Sequence, residues 1–201
     1  MRIVAGKARG TIIETLEGDD TRPTLDRVKE NFFNAINFDV VDANVLDLFA
    51  GSGQLGLEAL SRGASKATFV DSSPECVAII TKNAQKAKLY DKCNVFRYDY
   101  SEYIAGLKKR KIFEKFDIVF MDPPYGLGQR LINDCVKKII KNEIISDGGL
   151  IICETGNGEA LALDLDGGVS GRIKKTRAYK YGKVYITILT VEAEGEDDGR
   201  Q

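Results

Sequence analysis

Short apolar runs alternate with amphipathic stretches along most of this chain. Runs of four to six residues rich in branched or aromatic side chains are typical of strands buried on both faces of a parallel sheet. The stretches between them carry apolar residues three and four positions apart, which predicts helices. The apolar runs are Val45 to Ala50, Ala67 to Val70, Phe116 to Met121 and Leu150 to Cys153, with a further short strand at Cys93 to Arg97.

Capping residues and a late hairpin pattern complete the prediction of an α/β fold. Ser72-Ser73-Pro74-Glu75 is a strong helix start, with hydroxyl caps, proline at the first position and an acid in the first turn. Near the end of the chain, two β-like runs, 173–179 and 184–191, flank Tyr181-Gly182 and predict an antiparallel hairpin. Together these elements predict a doubly wound, mostly parallel sheet with a mixed edge.

The pattern divides the chain into three parts. Residues 1–20 are predicted to form a small N-terminal β-hairpin extension around Gly6-Lys7-Ala8-Arg9-Gly10. Its basic turn either projects from the main sheet or decorates the edge of the fold. Residues 21–191 form the main domain, and the acidic residues 192–201 are predicted to be a disordered tail.

Composition narrows the class of protein. A chain of 201 residues with 43% hydrophobic content fits one domain with a full core. No run approaches the roughly 18 apolar residues of a membrane span, and Met1 is not followed by a signal-peptide core, so we expect a cytoplasmic protein. Histidine is absent and the four cysteines show no Cys-x-x-Cys spacing, which argues against a metal site and against histidine catalysis. We expect the cysteines to be buried thiols in a reducing compartment.

The charge distribution is more informative than the net charge of −1. The last ten residues carry five acids against Arg200, so the rest of the chain is basic. Two clusters of cations without acids are either phosphate-contacting surfaces or ordinary solvated faces. The first is Arg2, Lys7 and Arg9, and the second is Arg172, Lys174, Lys175, Arg177, Lys180 and Lys183.

A glycine motif follows the first buried strand. Gly51-x-Gly53-x-x-Gly56 matches the dinucleotide fingerprint, and Asp71 lies about twenty residues further on, as expected for a ribose-binding acid. However, Asp47 places a negative charge before the glycines, where it would repel a pyrophosphate but could hold a cationic amino-acid end. The motif therefore predicts a nucleotide-type pocket without settling the cofactor.

A second motif, Asp122-Pro123-Pro124-Tyr125, directly follows the strand at 116–121. A carboxylate, two prolines and an aromatic ring suit the binding of a flat, amino-bearing base. A glycine turn and a proline turn without function would explain each motif separately, but not both at adjacent strand ends.

Carboxylates follow four of the predicted strands, at Asp47, Asp71, Asp99 and Asp122. Because ligands bind at the carboxyl ends of parallel strands, all four are candidates for one site. Asp71 either accepts hydrogen bonds from ribose hydroxyls or caps the following helix. Asp99 and Tyr100 either contact the adenine amino group or form a solvated turn.

The motifs resemble those of S-adenosylmethionine-dependent methyltransferases that modify exocyclic amino groups of bases. Two further segments are present, Arg22 to Val28 and Leu57 to Ala64. With them, the chain resembles the bacterial family that methylates N2 of a guanine in 16S ribosomal RNA. Gln54, where the family has a small residue, and Asp71, where glutamate is common, depart mildly from its pattern. The resemblance runs from about Met1 to about Val191. The motifs that carry it are Asp47 to Gly53, Asp122 to Tyr125, Arg22 to Val28 and Leu57 to Ala64.

The resemblance implies a Rossmann-like class I fold with a seven-stranded sheet, S-adenosylmethionine as cofactor, and 16S ribosomal RNA as partner, free, within the 30S subunit or in an assembly intermediate. It implies neither a metal nor a membrane. The implied catalytic residues are Asp122, Pro123, Pro124 and Tyr125. The implied cofactor-binding residues are Arg22, Thr24, Asp47, Phe49, Gly51, Gly53, Asp71, Ser72, Asp99 and Tyr100.

Three other functions remain open from the sequence. The glycines alone suit an NAD(P)-dependent oxidoreductase, which has no use for the motif at Asp122. The same motif could serve N6 of adenine in DNA. A catalytically silent RNA-binding factor would bind ribosomal RNA without transferring a methyl group. Protein glutamine methylation is disfavoured, because its motif begins with asparagine in place of Asp122.

Overall fold

A computed structural model describes residues 1–16, 23–109, 114–123, 128–156 and 159–192. Helices and strands alternate along this part of the chain, as the apolar pattern predicts. The helices are α1 (Pro23–Ala35), α2 (Asn37–Val40), α3 (Gln54–Arg62), α4 (Pro74–Lys86), α5 (Tyr100–Lys109), α6 (Gly128–Lys141) and α7 (Gly167–Ser170). The strands are β1 (Asn44–Asp47), β2 (Lys66–Asp71), β3 (Cys93–Arg97), β4 (Phe116–Met121), β5 (Ile145–Thr155), β6 (Ile173–Tyr181) and β7 (Val184–Val191).

The seven strands of the described residues form one sheet in the order β3-β2-β1-β4-β5-β7-β6. Strands β1 to β5 are parallel, whereas β7 runs antiparallel to both β5 and β6. This confirms the doubly wound sheet and its terminal hairpin. The first strand ends at Asp47, before the predicted end at Ala50. The next residues still bridge the neighbouring strands: the Leu48 N–H donates to the Phe120 carbonyl and the Ala50 N–H to the Val70 carbonyl.

Helices cover both faces of the sheet, so its central strands are buried on both sides. In β4, Ile118 and Phe120 belong to the core beneath α1 to α4, whereas Val119 and Met121 belong to the core beneath α5 to α7. This alternation is the period of two that a strand imposes. It places the residue after Met121 on the same face as Phe120.

The N-terminal segment pairs with itself, as the predicted hairpin requires, through an antiparallel bridge between Arg2 and Ile12. Its basic turn does not project from the sheet, which corrects one of the two interpretations above. The Lys7 N–H donates to the Ser61 carbonyl at 2.8 Å and the Ala8 N–H to Ser61 Oγ at 2.9 Å, so the turn lies on α3. Residues 17–20 lie outside the described part of the chain.

A buried ionic cluster fixes this segment, and the sequence analysis missed it. Glu58 is fully buried on α3 and accepts hydrogen bonds from the backbone N–H groups of Val4 and Ala5. It also pairs with Arg62 at 2.8 Å and lies 3.6 Å from Lys29 Nζ. Burial lowers the pKa of Lys29, although Glu58 opposes the shift. The cluster thus links the first residues of the chain to α1 and α3.

The second basic cluster, whose own segment has no acid, is contacted by Glu192 from further along the chain. Arg172 donates to the backbone carbonyl of Glu192, and Lys174 pairs with the Glu192 carboxylate. The first residue of the predicted acidic tail therefore contacts β6. Residues 193–201 lie outside the described part of the chain.

Three of the four cysteines, Cys76, Cys135 and Cys153, are buried, and Cys93 is half-buried. All four are free thiols, and burial raises the pKa of each. Among the described residues, no helix is long and apolar enough to cross a membrane.

Candidate functional site

The carboxyl edge of the parallel strands brings the two sequence motifs together. The chain runs from β1 outward to β2 and β3, then returns to place β4 on the other side of β1. The carboxyl ends of β1 and β4 therefore flank the topological switch point, where ligands bind in open α/β sheets. Asp47 ends β1 and Asp122 directly follows β4. The glycine motif and the base-binding motif thus lie side by side at this edge, where a ligand crevice is expected.

The loop between β1 and α3 is shaped by its glycines. Gly51 and Gly53 have φ angles of 51° and 80°, in the left-handed region where a side chain is strained. A Cβ on Gly51 would meet no atom within 4 Å, so the loop leaves open space above it. Gly53 is the N-cap of α3 and makes no side-chain cap. The loop therefore presents helix N–H groups to this crevice, where they can bind polar ligand atoms.

Asp47 is a buried carboxylate with one oxygen in use and one without a partner. It is only 1% exposed. Its Oδ2 accepts a hydrogen bond from the Gly56 N–H at 3.0 Å, whereas Oδ1 has no hydrogen-bond partner. Burial raises the pKa of Asp47 to about 7, and the nearby charges of Asp122 and Asp71 add to the shift. A buried acceptor without a hydrogen bond destabilises the folded protein, unless a ligand donates a hydrogen bond to it.

Asp71 ties the glycine loop to the next helix. One carboxylate oxygen accepts the Gly51 N–H and the other accepts the Ser73 N–H, both at 2.9 Å. Ser73 in turn caps α4 through its hydroxyl, as its sequence predicts. The carboxylate therefore holds the loop in shape. The Cys76 thiol also hydrogen-bonds to it, and since a carboxylate has about four acceptor sites, it can still accept from a further donor. Ser72 is exposed beside it, and its carbonyl accepts from the Arg97 side chain at 3.3 Å.

Phe49 and Tyr100, both predicted to bind the cofactor, contact each other. Their ring centroids are 5.5 Å apart with an interplanar angle of 46°. The Tyr100 hydroxyl donates to Asp134 on α6 at 2.9 Å, and burial together with this bond raises the pKa of Tyr100. Tyr100 can therefore offer its ring, while its hydroxyl is already bonded.

Asp99 is exposed and caps the start of α5. Its Oδ1 accepts from the Ser101 N–H at 2.8 Å, and its carbonyl accepts from the Tyr103 N–H. These are the local contacts expected of the solvated-turn alternative. They leave the second carboxylate oxygen as the atom that could meet an adenine amino group.

The base-binding motif is only partly described. Asp122 is half-buried and Pro123 is buried at the end of β4. Pro124 and Tyr125 lie outside the described residues, as does Arg22. Thr24 lies in the first turn of α1, but its side chain is not among those described. The roles of these four residues stay predictions.

Sequence reasoning missed Glu154, a fifth carboxylate on the same edge. Met121 pairs with Cys153 in the parallel register of β4 and β5, so the next residues on the two strands are Asp122 and Glu154. Burial and the Asp122 charge raise the pKa of Glu154 well above its ordinary value. The signal was present, because 150–154 is an apolar run ending in an acid, like the run that ends at Asp47. The strand was predicted to end at Cys153, two residues before its actual end at Thr155.

The described residues contain no group of three or more histidine, cysteine or acidic side chains placed to hold a metal ion. What this edge offers is a row of oxygen acceptors beside helix N–H groups. Such a row suits a ligand with amino and hydroxyl donors.

Comparisons with known proteins agree with this geometry. Residues 1–190 match the family described as Conserved hypothetical protein 95. The ribosomal RNA small subunit methyltransferase D of Escherichia coli strain K12 is 32% identical over 198 residues, covering 98% of this chain and 93% of that protein. The protein of the same name from Haemophilus influenzae is 35% identical over 156 residues, covering 77% and 78%.

A solved structure shows the same architecture. The protein yhhF from Escherichia coli superimposes with a TM-score of 0.79 at 29% identity, covering 96% of this chain and 99% of that one. The likeness therefore includes the N-terminal segment and the terminal hairpin as well as the central sheet. The chain belongs to the Conserved hypothetical protein 95 family, together with the ribosomal RNA small subunit methyltransferases D.

Proposed function

We propose that this protein is an S-adenosylmethionine-dependent methyltransferase that modifies the exocyclic N2 of a guanine in 16S ribosomal RNA. The observation that carries the proposal is the unpartnered, buried Oδ1 of Asp47 beside the glycine loop, on the strand next to Asp122. The family relatives at 32–35% identity, which carry the name of ribosomal RNA methyltransferases, support the reaction and the class of substrate. The N2 position and the 16S molecule rest on the motif resemblance.

The residues at the edge fit this cofactor. Asp47 Oδ1 supplies a buried acceptor for the cationic amino group of the methionine end, and pairing with that cation would lower the raised pKa of the acid. The Gly51 to Gly53 loop leaves space above its backbone. Asp71 can still accept a hydrogen bond from a ribose hydroxyl, and Phe49 with Tyr100 provides an aromatic wall for the adenine.

Four of the assigned roles come from the resemblance alone. Arg22 and Thr24 close over the methionine end, Ser72 lies beside the ribose, and Asp99 contacts the adenine amino group.

When bound, S-adenosylmethionine supplies an electrophilic methyl group. The guanine 2-amino group is a weak nucleophile, because its lone pair is delocalised into the ring. The protein must therefore activate it. Asp122 and the Pro123 carbonyl accept the two amino hydrogens, aim the lone pair and stabilise the positive charge that develops on nitrogen. Tyr125 stacks on the base, which has to be unstacked from its neighbours to enter the crevice.

The test is transfer of labelled methyl groups to unmodified 30S subunits, free 16S RNA and duplex DNA in parallel, followed by nucleoside analysis. We expect label in N2-methylguanosine from one or both RNA substrates. Label in N6-methyladenine, or none in any substrate, would overturn the proposal.

Two variants separate the roles of the carboxylates. Asp122→Ala should abolish transfer while changing cofactor affinity by no more than several-fold, since Asp122 faces the base. Asp71→Ala should chiefly weaken cofactor binding, measured by equilibrium dialysis with labelled cofactor. Near-normal turnover of the first variant, or unchanged affinity of the second, would contradict these assignments.

A further inference from the structure

Glu154 lies on β5, beside Asp122, which directly follows the neighbouring strand β4. The parallel register that joins Met121 to Cys153 makes them the next residues on β4 and β5, which lie about 4.8 Å apart in any sheet. Side-chain alternation places both on the α1 face of the sheet, because Phe120 and Ile152 belong to the core on that side. In keeping with this placement, the Asp122 charge contributes to the raised pKa of Glu154.

Glu154 is half-buried near the carboxyl end of β5. Its strand partner in β7 is Ile186, which is buried, and Cys153 before it is fully buried on the opposite face. Burial is the main cause of its raised pKa. An acid kept in such surroundings beside another acid is unfavourable for folding, so its presence points to a function.

The chemistry of guanine offers that reason. Its Watson–Crick edge presents two donors side by side, N1–H and the 2-amino group. Adenine presents an amino donor beside N1, which is an acceptor, so a carboxylate next to the amino-binding residue would repel it. When both groups are ionised, the two neighbouring carboxylates match the two donors of guanine and not the donor and acceptor of adenine.

We propose that Glu154 determines the base specificity: it accepts the N1–H of the target guanine while Asp122 accepts a hydrogen of the 2-amino group. This inference rests on the proposed function, because it requires that the N2 of guanine is the methylated atom. Glu154 lies outside the Asp-Pro-Pro-Tyr motif, and its proposed contact explains why the site would bind guanine in preference to adenine. Glu154 is a binding residue in this scheme, and the transferred methyl group does not touch it.

The test uses 2-aminopurine, which keeps the 2-amino group but lacks N1–H. 16S RNA is ligated from segments so that it carries guanine or 2-aminopurine at the position labelled in the transfer assay. Single-turnover rates are measured for the wild type, Glu154→Gln and Glu114→Gln. Glu114 is an exposed acid just before β4, at the opposite edge of the sheet, and serves as the matched control.

We expect the wild type and Glu114→Gln to prefer guanine by about ten-fold or more, the usual size of a base-edge contact. Glu154→Gln should reduce that preference by at least ten-fold, because the amide can donate a hydrogen bond to N1 of 2-aminopurine. Its affinity for labelled S-adenosylmethionine should be unchanged. Glu154→Asp keeps the negative charge, but its shorter side chain moves the carboxylate oxygens away from the base. It should slow transfer to guanine by at least ten-fold, and it replaces Glu154→Gln if that variant does not fold.

Three outcomes overturn the inference. If the wild type methylates guanine and Glu154→Gln keeps the wild-type preference, the specificity role is wrong while the proposed function stands. If Glu154→Gln weakens cofactor affinity as much as it slows transfer, Glu154 serves the cofactor instead. If the wild type transfers no methyl group to guanine, the proposed function and this inference fail together.

Discussion

Replacing Gly56 by alanine should destabilise this protein, although alanine is normally the better helix former. Gly56 lies inside α3, where its N–H holds Asp47 Oδ2. A Cβ at this position would lie 2.3 Å from Cε1 and 2.7 Å from Cζ of Phe69, which is fully buried in β2. Ordinary contacts begin at about 3.4 Å, so the ring or the helix must move by about 1 Å.

The magnitude follows from two opposing contributions. Alanine gains up to about 1 kcal/mol of helix propensity over glycine. Overpacking in a close-packed core costs about 1–3 kcal/mol or more, and a contact this short belongs at the upper end. The free energy of unfolding should therefore fall by about 2 kcal/mol.

Gly106 provides the matched control. It lies inside α5, and a Cβ there would meet no atom within 4 Å. Gly106→Ala should therefore raise the free energy of unfolding by about 0.5–1 kcal/mol.

Urea unfolding followed by circular dichroism measures both variants against the wild type. The reasoning predicts opposite signs and a separation of about 3 kcal/mol between the two free energies. Cofactor affinity should fall for Gly56→Ala, because moving α3 displaces the N–H that holds Asp47. A Gly56→Ala variant as stable as Gly106→Ala would show that the contact between α3 and Phe69 is not close-packed.

Two further predictions concern buried charge. The pKa of Asp47 is about 7 in the folded protein and about 3.9 in an unfolded chain, so between these values the folded state binds the extra proton. The free energy of unfolding of the wild type should therefore fall, relative to that of Asp47→Asn, by up to about 1.4 kcal/mol per pH unit as the pH rises from 4 to 7. Urea titrations of both proteins at pH 5 and pH 8 measure this; a difference between the two proteins that is the same at both pH values would contradict it. Glu58→Gln leaves Lys29 and Arg62 buried without their anion and should cost about 3–5 kcal/mol, whereas Glu114→Gln breaks only an exposed pair and should cost less than about 1 kcal/mol. Equal thermal shifts for these two variants would contradict the role of the cluster.

The parts of the site that the sequence predicted are those with a local signature. An apolar run ending in an acid predicts a buried strand with its carboxylate at the carboxyl edge, and the structure places Asp47, Asp71 and Asp122 there. The glycine pattern likewise predicts the loop and the start of α3, since positive φ angles favour glycine. Each inference needed only a few neighbouring residues.

The parts that were missed depend on contacts between distant residues. On α3, Glu58 looks like an ordinary polar position, and it is buried only because backbone N–H groups more than fifty residues away pack on it. The basic turn at Lys7 was free to project or to pack, and Ser61 decides between the two. Glu154 is the exception, because its signature was local but the end of its strand was placed too early.

The N-terminal segment docks on residues that are synthesised later, which delays its folding. Its backbone bonds go to partners 53 to 69 residues later, Glu58, Ser61 and Asn83. During synthesis at about 5–20 residues per second, the first residues must therefore wait roughly 3–14 s before their last partner exists. Until then Ile3 and Ile13, which are buried in the folded protein, lack part of the core in which they pack. This segment is made before its partners, so it cannot adopt its final structure until they have been synthesised.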